Sequence, residues 1–370
     1  MAAHSKSRKW QRIFSGLGVL LVVFSAGSVL AAPGRGVIPG LPGLPTGLPS
    51  GLPGLPGRPS SSDGSMVSET YSNSFGSRTF QVFVPKKLAA DPGLLVVLHG
   101  CFMTGEQMAT GTEVNRYAAE RGFVVLYPEQ TYKDNTWKCW NWFKPENQRR
   151  DDGELSLIAG MAQAAVKKYQ LNAERVFVTG LSAGAAMASN LLGCYSDIFA
   201  GAMVHSGLEF AAAQSESEAH QVTKNGASRD LEQSAQQALQ CSPARQRLIP
   251  VIVVHGKSDS AVNPINADRT AALFAKINTE IFVRNGGLNT DITQAQSRIT
   301  QDGYKYPAAV DDTVFAGRTV VRKVIVEGMS HAWSGGAPTA PYMEPRGVKA
   351  VQILVDAFFP LKSGNEIKLY

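Results

Sequence analysis

Cysteine is scarce, with four residues in 370, and none of them forms a Cys-x-x-Cys pair or stands at a Cys/His spacing that would hold zinc. No metal site and no cofactor are therefore expected. Acidic residues are missing from the first dozen positions, where Lys6, Arg8, Lys9 and Arg12 stand unopposed. These four supply most of the formal charge of +6, so the rest of the chain is nearly neutral. A nucleic-acid partner, which calls for an extended basic face, is not expected. Long apolar runs are missing after residue 30, so no later segment reaches the roughly 20 residues that a spanning helix needs. The Gly, Leu and Pro stretch at 33–59 also lacks an unbroken glycine period. Thr46 and Ser50 interrupt it, which excludes a collagen triple helix and leaves an extended, polyproline-like linker.

What is there begins with a targeting segment. The basic start leads into the apolar run Ile13 to Leu30 and then the small-residue end Val29-Leu30-Ala31, the pattern of a secretory signal over residues 1–31. An uncleaved N-terminal membrane anchor is the alternative, and a periplasmic location also fits. In a secreted, extracellular chain an even number of cysteines predicts two disulfides. Three pairings exist. Cys101 with Cys139 is preferred because the two flank the expected active-site segments, and Cys194 with Cys241 because they bracket a polar insertion; buried free thiols are the alternative. Residues 32–65 form the linker and 66–370 a single folded domain, for which a hydrophobic fraction of 44% supplies an ample core.

Within that domain, Val67 to Ser72 and Arg78 to Val84 predict an antiparallel edge, the second strand closed by Pro85. Unbroken apolar runs follow at Leu94 to Leu98, Phe123 to Tyr127, Val176 to Thr179, Val251 to Val254 and Val320 to Val326. Runs without alternation are expected of parallel strands buried on both faces. Helical patterns lie between them at Gly105 to Arg121, Glu154 to Tyr169, Ala183 to Leu192, Asn266 to Lys276 and Gly347 to Phe359. The alternation predicts a doubly wound α/β domain with a mostly parallel sheet. The Gln-, Ser- and Ala-rich stretch from Ala211 to Ala244 reads as a surface insertion, helical in part, overhanging a cleft. The segment from Asn285 to Asp312 reads as a loop without a role.

Gly180-Leu181-Ser182-Ala183-Gly184 follows the strand of Val176 to Thr179 and precedes a helical run. Gly-x-Ser-x-Gly in that position is the sharp turn on which an α/β-hydrolase fold presents a serine nucleophile. A serine hydroxyl needs a histidine to accept its proton and a carboxylate to orient that histidine, in the chain order Ser, acid, His. Of six histidines, His4 lies in the signal, His99 precedes the serine, and His205 and His220 come too early. His255 ends a strand in His255-Gly256-Lys257-Ser258-Asp259, a turn that would place Asp259 just beyond the strand tip. His331 alone then follows. Asp259 and His331 are the preferred partners of Ser182, with Asp268 the reserve acid, and a capping acid with a solvated histidine the alternative. The second oxyanion donor is expected after an early strand, at the Cys101 N–H of Leu98-His99-Gly100-Cys101, beside the Ala183 N–H. Trp137, Trp140 and Trp142 concentrate near Phe143. They predict an aromatic wall for an acyl chain, with Asn141 as a polar contact and Trp333 meeting the wall across the cleft; core packing is the alternative for each ring.

The segments His99-Gly100-Cys101, Cys139-Trp140-Asn141-Trp142-Phe143, Arg149-Arg150-Asp151, Gly180-Leu181-Ser182-Ala183-Gly184 and His331-Ala332-Trp333-Ser334-Gly335-Gly336 resemble the catalytic domain of secreted polyhydroxyalkanoate (poly-3-hydroxybutyrate) depolymerases, across roughly Thr79 to Pro360. The resemblance implies Ser182 as nucleophile, Asp259 as orienting acid, His331 as general base, the N–H groups of Cys101 and Ala183 as oxyanion hole, and Trp142 near the polymer. The early oxyanion loop resembles the arrangement called type 1 in that family. Such enzymes commonly carry a separate polymer-adhering domain after the catalytic one. None is expected here, which puts activity on crystalline polymer in doubt. The expectation is a monomeric serine esterase acting on short-chain poly(3-hydroxyalkanoate) or its oligomers. Feruloyl or acetylxylan esters are the alternative substrates, and a non-catalytic polymer- or glycan-binding protein is the alternative class.

Overall fold

A computed structural model of the chain describes residues 63–242, 247–300 and 305–360. The expected signal and most of the expected linker lie outside the described residues. The fold opens with an antiparallel hairpin, β1 (Gly64–Asn73) and β2 (Gly76–Pro85), in which Gly64 faces Pro85 and Asn73 faces Gly76. There follow β3 (Leu94–Leu98), α1 (Gly105–Thr112), α2 (Val114–Arg121), β4 (Val124–Pro128), α3 (Gly153–Tyr169), β5 (Val176–Leu181), α4 (Ala183–Cys194) and β6 (Gly201–His205). The second half contributes α5 (Glu216–Asn225), α6 (Leu231–Cys241), β7 (Val251–Gly256), α7 (Ile265–Arg284), β8 (Ile292–Ile299), β9 (Ala308–Phe315), β10 (Arg318–Val326), the short pair β11 (Trp333–Ser334) and β12 (Met343–Glu344), and α8 (Ala350–Phe358).

The main sheet has ten strands in the order β1-β2-β4-β3-β5-β6-β7-β10-β9-β8. From β4 to β10 the neighbours run parallel, and the central strands are apolar on both faces because helices cover both. Side-chain alternation divides the core in two. Leu94, Val96, Leu98, Val176 and Val178 pack beneath α3, α4 and α7, whereas Leu95, Val97 and Phe177 pack against α1, α2 and α8. Phe358 of α8 stacks on Phe177 with ring centres 4.4 Å apart. Burying each such side chain contributes about 1.5–3 kcal/mol, which fixes the register of the strands whose ends carry the chemistry.

Two expectations need correction. The helical pattern at Gly105 to Arg121 is two helices, broken at Glu113, whose φ of 59° is left-handed. The first helix starts on a capping box between Thr104 and Gln107. The segment from Asn285 to Asp312 is no loop: it holds β8 and much of β9, which extend the sheet by a second antiparallel edge. β8 is exposed on both faces, so no apolar run marks it. β9 is fastened to its neighbour by the two-pronged pair of Arg322 with Asp312, at 2.8 and 2.6 Å. The insertion at 211–244 does carry helices, α5 and α6, and α5 walls the cleft described below.

Candidate active site

Ser182 stands alone between β5 and α4, with φ 58° and ψ −120°. A non-glycine residue there is strained, and the surroundings must hold it. Its N–H donates to the His205 carbonyl at 3.0 Å, tying the turn to the end of β6. A Cβ on Gly184 would lie 2.5 Å from the carbonyl oxygens of both Leu98 and His99, so α4 can seat itself on the end of β3 only without a side chain at that position. The serine is thereby pressed against the loop after β3. A Cβ on Gly100 would come within 3.6 Å of the Ser182 Cβ. Among the described residues neither the Cys101 N–H nor the Ala183 N–H has a hydrogen-bond acceptor. Ala183 opens α4, where the helix dipole favours negative charge.

The loop bearing Cys101 is rigid for identifiable reasons. His99 is fully buried and neutral: burial lowers its pKa to about 4. Its Nε2 accepts from the Gln130 N–H at 3.0 Å, so its Nδ1 carries the hydrogen that goes to the Gly100 carbonyl at 2.7 Å. Cys101 is disulfide-bonded to Cys139, and the Phe102 N–H donates to the Trp137 carbonyl at 2.9 Å. Cys194 pairs with Cys241, completing the preferred connectivity.

Asp259 lies three residues beyond β7. Its Oδ1 accepts from the N–H groups of Ala261 at 3.0 Å and Val262 at 2.8 Å, and its Oδ2 accepts from His331 Nδ1 at 2.7 Å. Burial by itself would raise this carboxyl, but hydrogen bonds from His255 and His331 hold it well below the usual carboxylate range. The two loops are sutured along the main chain. Lys257 N–H donates to the Val326 carbonyl and Ser258 N–H to the Met329 carbonyl, both at 2.9 Å. Because β5, β6, β7 and β10 are consecutive in the sheet, the loops holding Ser182, Asp259 and His331 emerge along one edge. His205 binds them together: its carbonyl takes the Ser182 N–H, and its Nε2 takes the Ser334 N–H at 2.9 Å, three residues after His331. The Ser182 hydroxyl itself makes no hydrogen bond among the described residues. Asp268, the reserve acid, is on α7 and paired with Lys323 at 2.6 Å, away from this edge.

A cleft of about 260 Å³ opens over Ser182, Ala183 and Cys101. Trp137, Trp142 and Phe143 line one side, and Ala219, His220 and Thr223, on one face of α5, line the other. Three residues expected on the wall are elsewhere. Trp140 is fully buried and donates its indole N–H to the His99 carbonyl at 3.1 Å. Asn141 is buried against Glu154, which accepts both its backbone N–H at 2.8 Å and its side-chain amide at 2.7 Å. Trp333 stacks on His205 with ring centres 4.8 Å apart, beneath the edge. An indole in a Trp-rich segment does not disclose which side of its loop it faces. Sequence reasoning missed the α5 residues and Val262, since a polar helix inserted between strands carries no signal of what its small face covers.

Among the described residues no three His, Cys, Asp or Glu side chains cluster as a metal site requires, and no helix is long and apolar enough to cross a membrane.

The chain is 38% identical over 128 residues to the probable acetylxylan esterase A of Aspergillus clavatus, covering 34% of this chain and 41% of the relative. It is 31% identical over 226 residues to poly(3-hydroxyalkanoate) depolymerase C of Paucimonas lemoignei, covering 58% of this chain and 52% of the relative. Both matches span less than two thirds of the relative's length. Among solved structures, the acetyl xylan esterase from Aspergillus awamori superposes with a TM-score of 0.59 at 22% identity, covering 74% of this chain and 95% of that one, which shows the α/β-hydrolase fold. The sequence profile described as "Esterase PHB depolymerase" matches residues 79–294, more than half of the chain, and the chain therefore belongs to that esterase family.

Proposed function

We propose that the chain is a secreted serine esterase that cleaves short-chain 3-hydroxyalkanoate esters through an acyl-enzyme. The observation that carries this is the Asp259–His331 hydrogen bond of 2.7 Å on loops adjoining the strained Ser182 turn. With Nδ1–H held by Asp259, His331 keeps Nε2 free to accept a proton. Ser182 Oγ attacks the ester carbonyl as its proton passes to His331, and the oxyanion is received by the N–H groups of Cys101 and Ala183. Collapse expels the alcohol, which takes the proton from His331. Water, activated by the same histidine, then frees the acid and regenerates Ser182. The wall of Trp137, Trp142 and Phe143 suits a short apolar acyl chain, and two disulfides suit an oxidising compartment.

Acetyl esters of plant-wall glycans are a second reading, favoured by the higher identity, 38%, to an acetylxylan esterase. The test is hydrolysis of hydroxybutyrate oligomers, amorphous poly(3-hydroxybutyrate), acetylated xylan and feruloyl esters by wild type and Ser182→Ala. The variant should stay folded and lose essentially all turnover; retained turnover overturns the mechanism. The preferred ester decides the substrate.

A further inference from the structure

Asp259 has a second histidine beside it. His255, the penultimate residue of β7, is fully buried, and its Nε2 lies 2.8 Å from the Val262 carbonyl and 3.3 Å from Asp259 Oδ2. A carbonyl only accepts, so the ring hydrogen is on Nε2. Its Nδ1 is buried without a partner, which a neutral ring tolerates better than a second orphaned N–H. The His255 Nε2–H therefore donates to the Val262 carbonyl, and Asp259 Oδ2 lies 3.3 Å from the same nitrogen. Three other titratable groups surround it: Asp259 from its own loop, His205 from β6 and His331 from the loop after β10. His205 is held neutral by burial, which leaves Asp259 as the one charge the His255 N–H can serve.

We propose that His255 is a positioning residue for hydrolysis: its Nε2–H fixes the rotation of the Asp259 carboxylate, so that Oδ2 meets His331 Nδ1 in line. The backbone N–H groups of Ala261 and Val262 hold Oδ1 alone, and a carboxylate pinned at one oxygen can still swing the other. The His255 contact removes that freedom on the Oδ2 side.

This inference rests on the esterase reading above, and the experiment separates the two. His255→Gln keeps an N–H donor near the Nε2 position, and His255→Leu removes it; His255→Asn, whose amide is too short to reach Oδ2, replaces the leucine variant if that one does not fold. Activity on a soluble hydroxybutyrate ester is measured across pH with a thermal melt of each variant. His255→Gln is expected within about threefold of wild-type kcat, whereas the donor-less variant loses about tenfold or more in kcat with KM within about twofold. A donor-less variant with wild-type kcat overturns the proposal, as does a glutamine variant impaired as severely as leucine. Inactive wild type that no serine-reactive phosphonate labels would instead sink the esterase reading.

Discussion

Single residues at this site are constrained by what lies behind them more than by their own chemistry. Gly256 is the sharpest case. A Cβ there would lie 2.3 Å from the Met329 carbonyl oxygen and 2.6 Å from that of Ser330, so the acid-bearing and histidine-bearing loops touch through their main chains at this point. Gly256→Ala must push them apart, which should cost about 2 kcal/mol or more of stability and lower kcat by lengthening the Asp259–His331 bond. Thermal melts and steady-state kinetics would check both, and an alanine variant with unchanged kcat would show that the loops find another arrangement. At this scale the sequence was legible where a fixed chain order singles out residues, as for Asp259 and His331, which the structure joins by a hydrogen bond of 2.7 Å. It was illegible where orientation decides. Trp140 and Trp142 are two positions apart, yet one donates its indole to the His99 carbonyl in the core and the other lines the cleft. His255 carried no separate signal beyond its place four residues before Asp259.

Elements were legible in proportion to their burial. The Leu94 to Leu98 run is β3 to the residue, because both of its faces are covered and apolar side chains are obligatory at every position. β6, with Gly201 and Ala202 at its start, is equally buried but lacks the β-branched composition that marks a strand. β8 lacks any apolar run because it borders solvent on both faces. The two disulfides show how similar elements can differ in function. They close loops of 38 and 47 residues, so by chain entropy each contributes about 4 kcal/mol and neither is the stronger staple. Their positions differ, since Cys101–Cys139 joins the loop after β3 to the Trp137 segment while Cys194–Cys241 joins α4 to α6. Replacing either pair by serine should therefore lower the melting temperature comparably, whereas only Cys101→Ser with Cys139→Ser should depress kcat severalfold. Equal activity in the two double variants would show that the loop after β3 holds its shape unaided. On the opposite wall, α5 presents Ala219 to the cleft, and Ala219→Trp should raise KM for larger acyl groups about tenfold by occupying that space.

For the whole molecule, buried neutral histidines couple the architecture to pH. His99 and His205 sit in the central part of the sheet where burial disfavours their charged forms, bringing His99 to about 4 and His205 well below its ordinary value. In the unfolded chain both titrate near about 6.5, so as pH falls the unfolded state takes up protons first. Stability is then complete above about 6.5 and declines as pH falls toward about 4, with each histidine contributing a slope of at most about 1.4 kcal/mol per pH unit. Asp259 works lower on the scale: its folded carboxyl titrates below its unfolded value of about 3.9, so its contribution is present above that pH and is lost only in stronger acid. Between about 6.5 and 4 the loss from the histidines is opposed by Glu129 and Glu209, whose carboxyls burial raises. His99→Gln removes one of the two titrations while preserving an amide that can donate and accept. Its melting temperature should begin lower than wild type at neutral pH and fall less steeply toward pH 4.5. Parallel curves for the two proteins would mean that the acid sensitivity arises elsewhere than at His99.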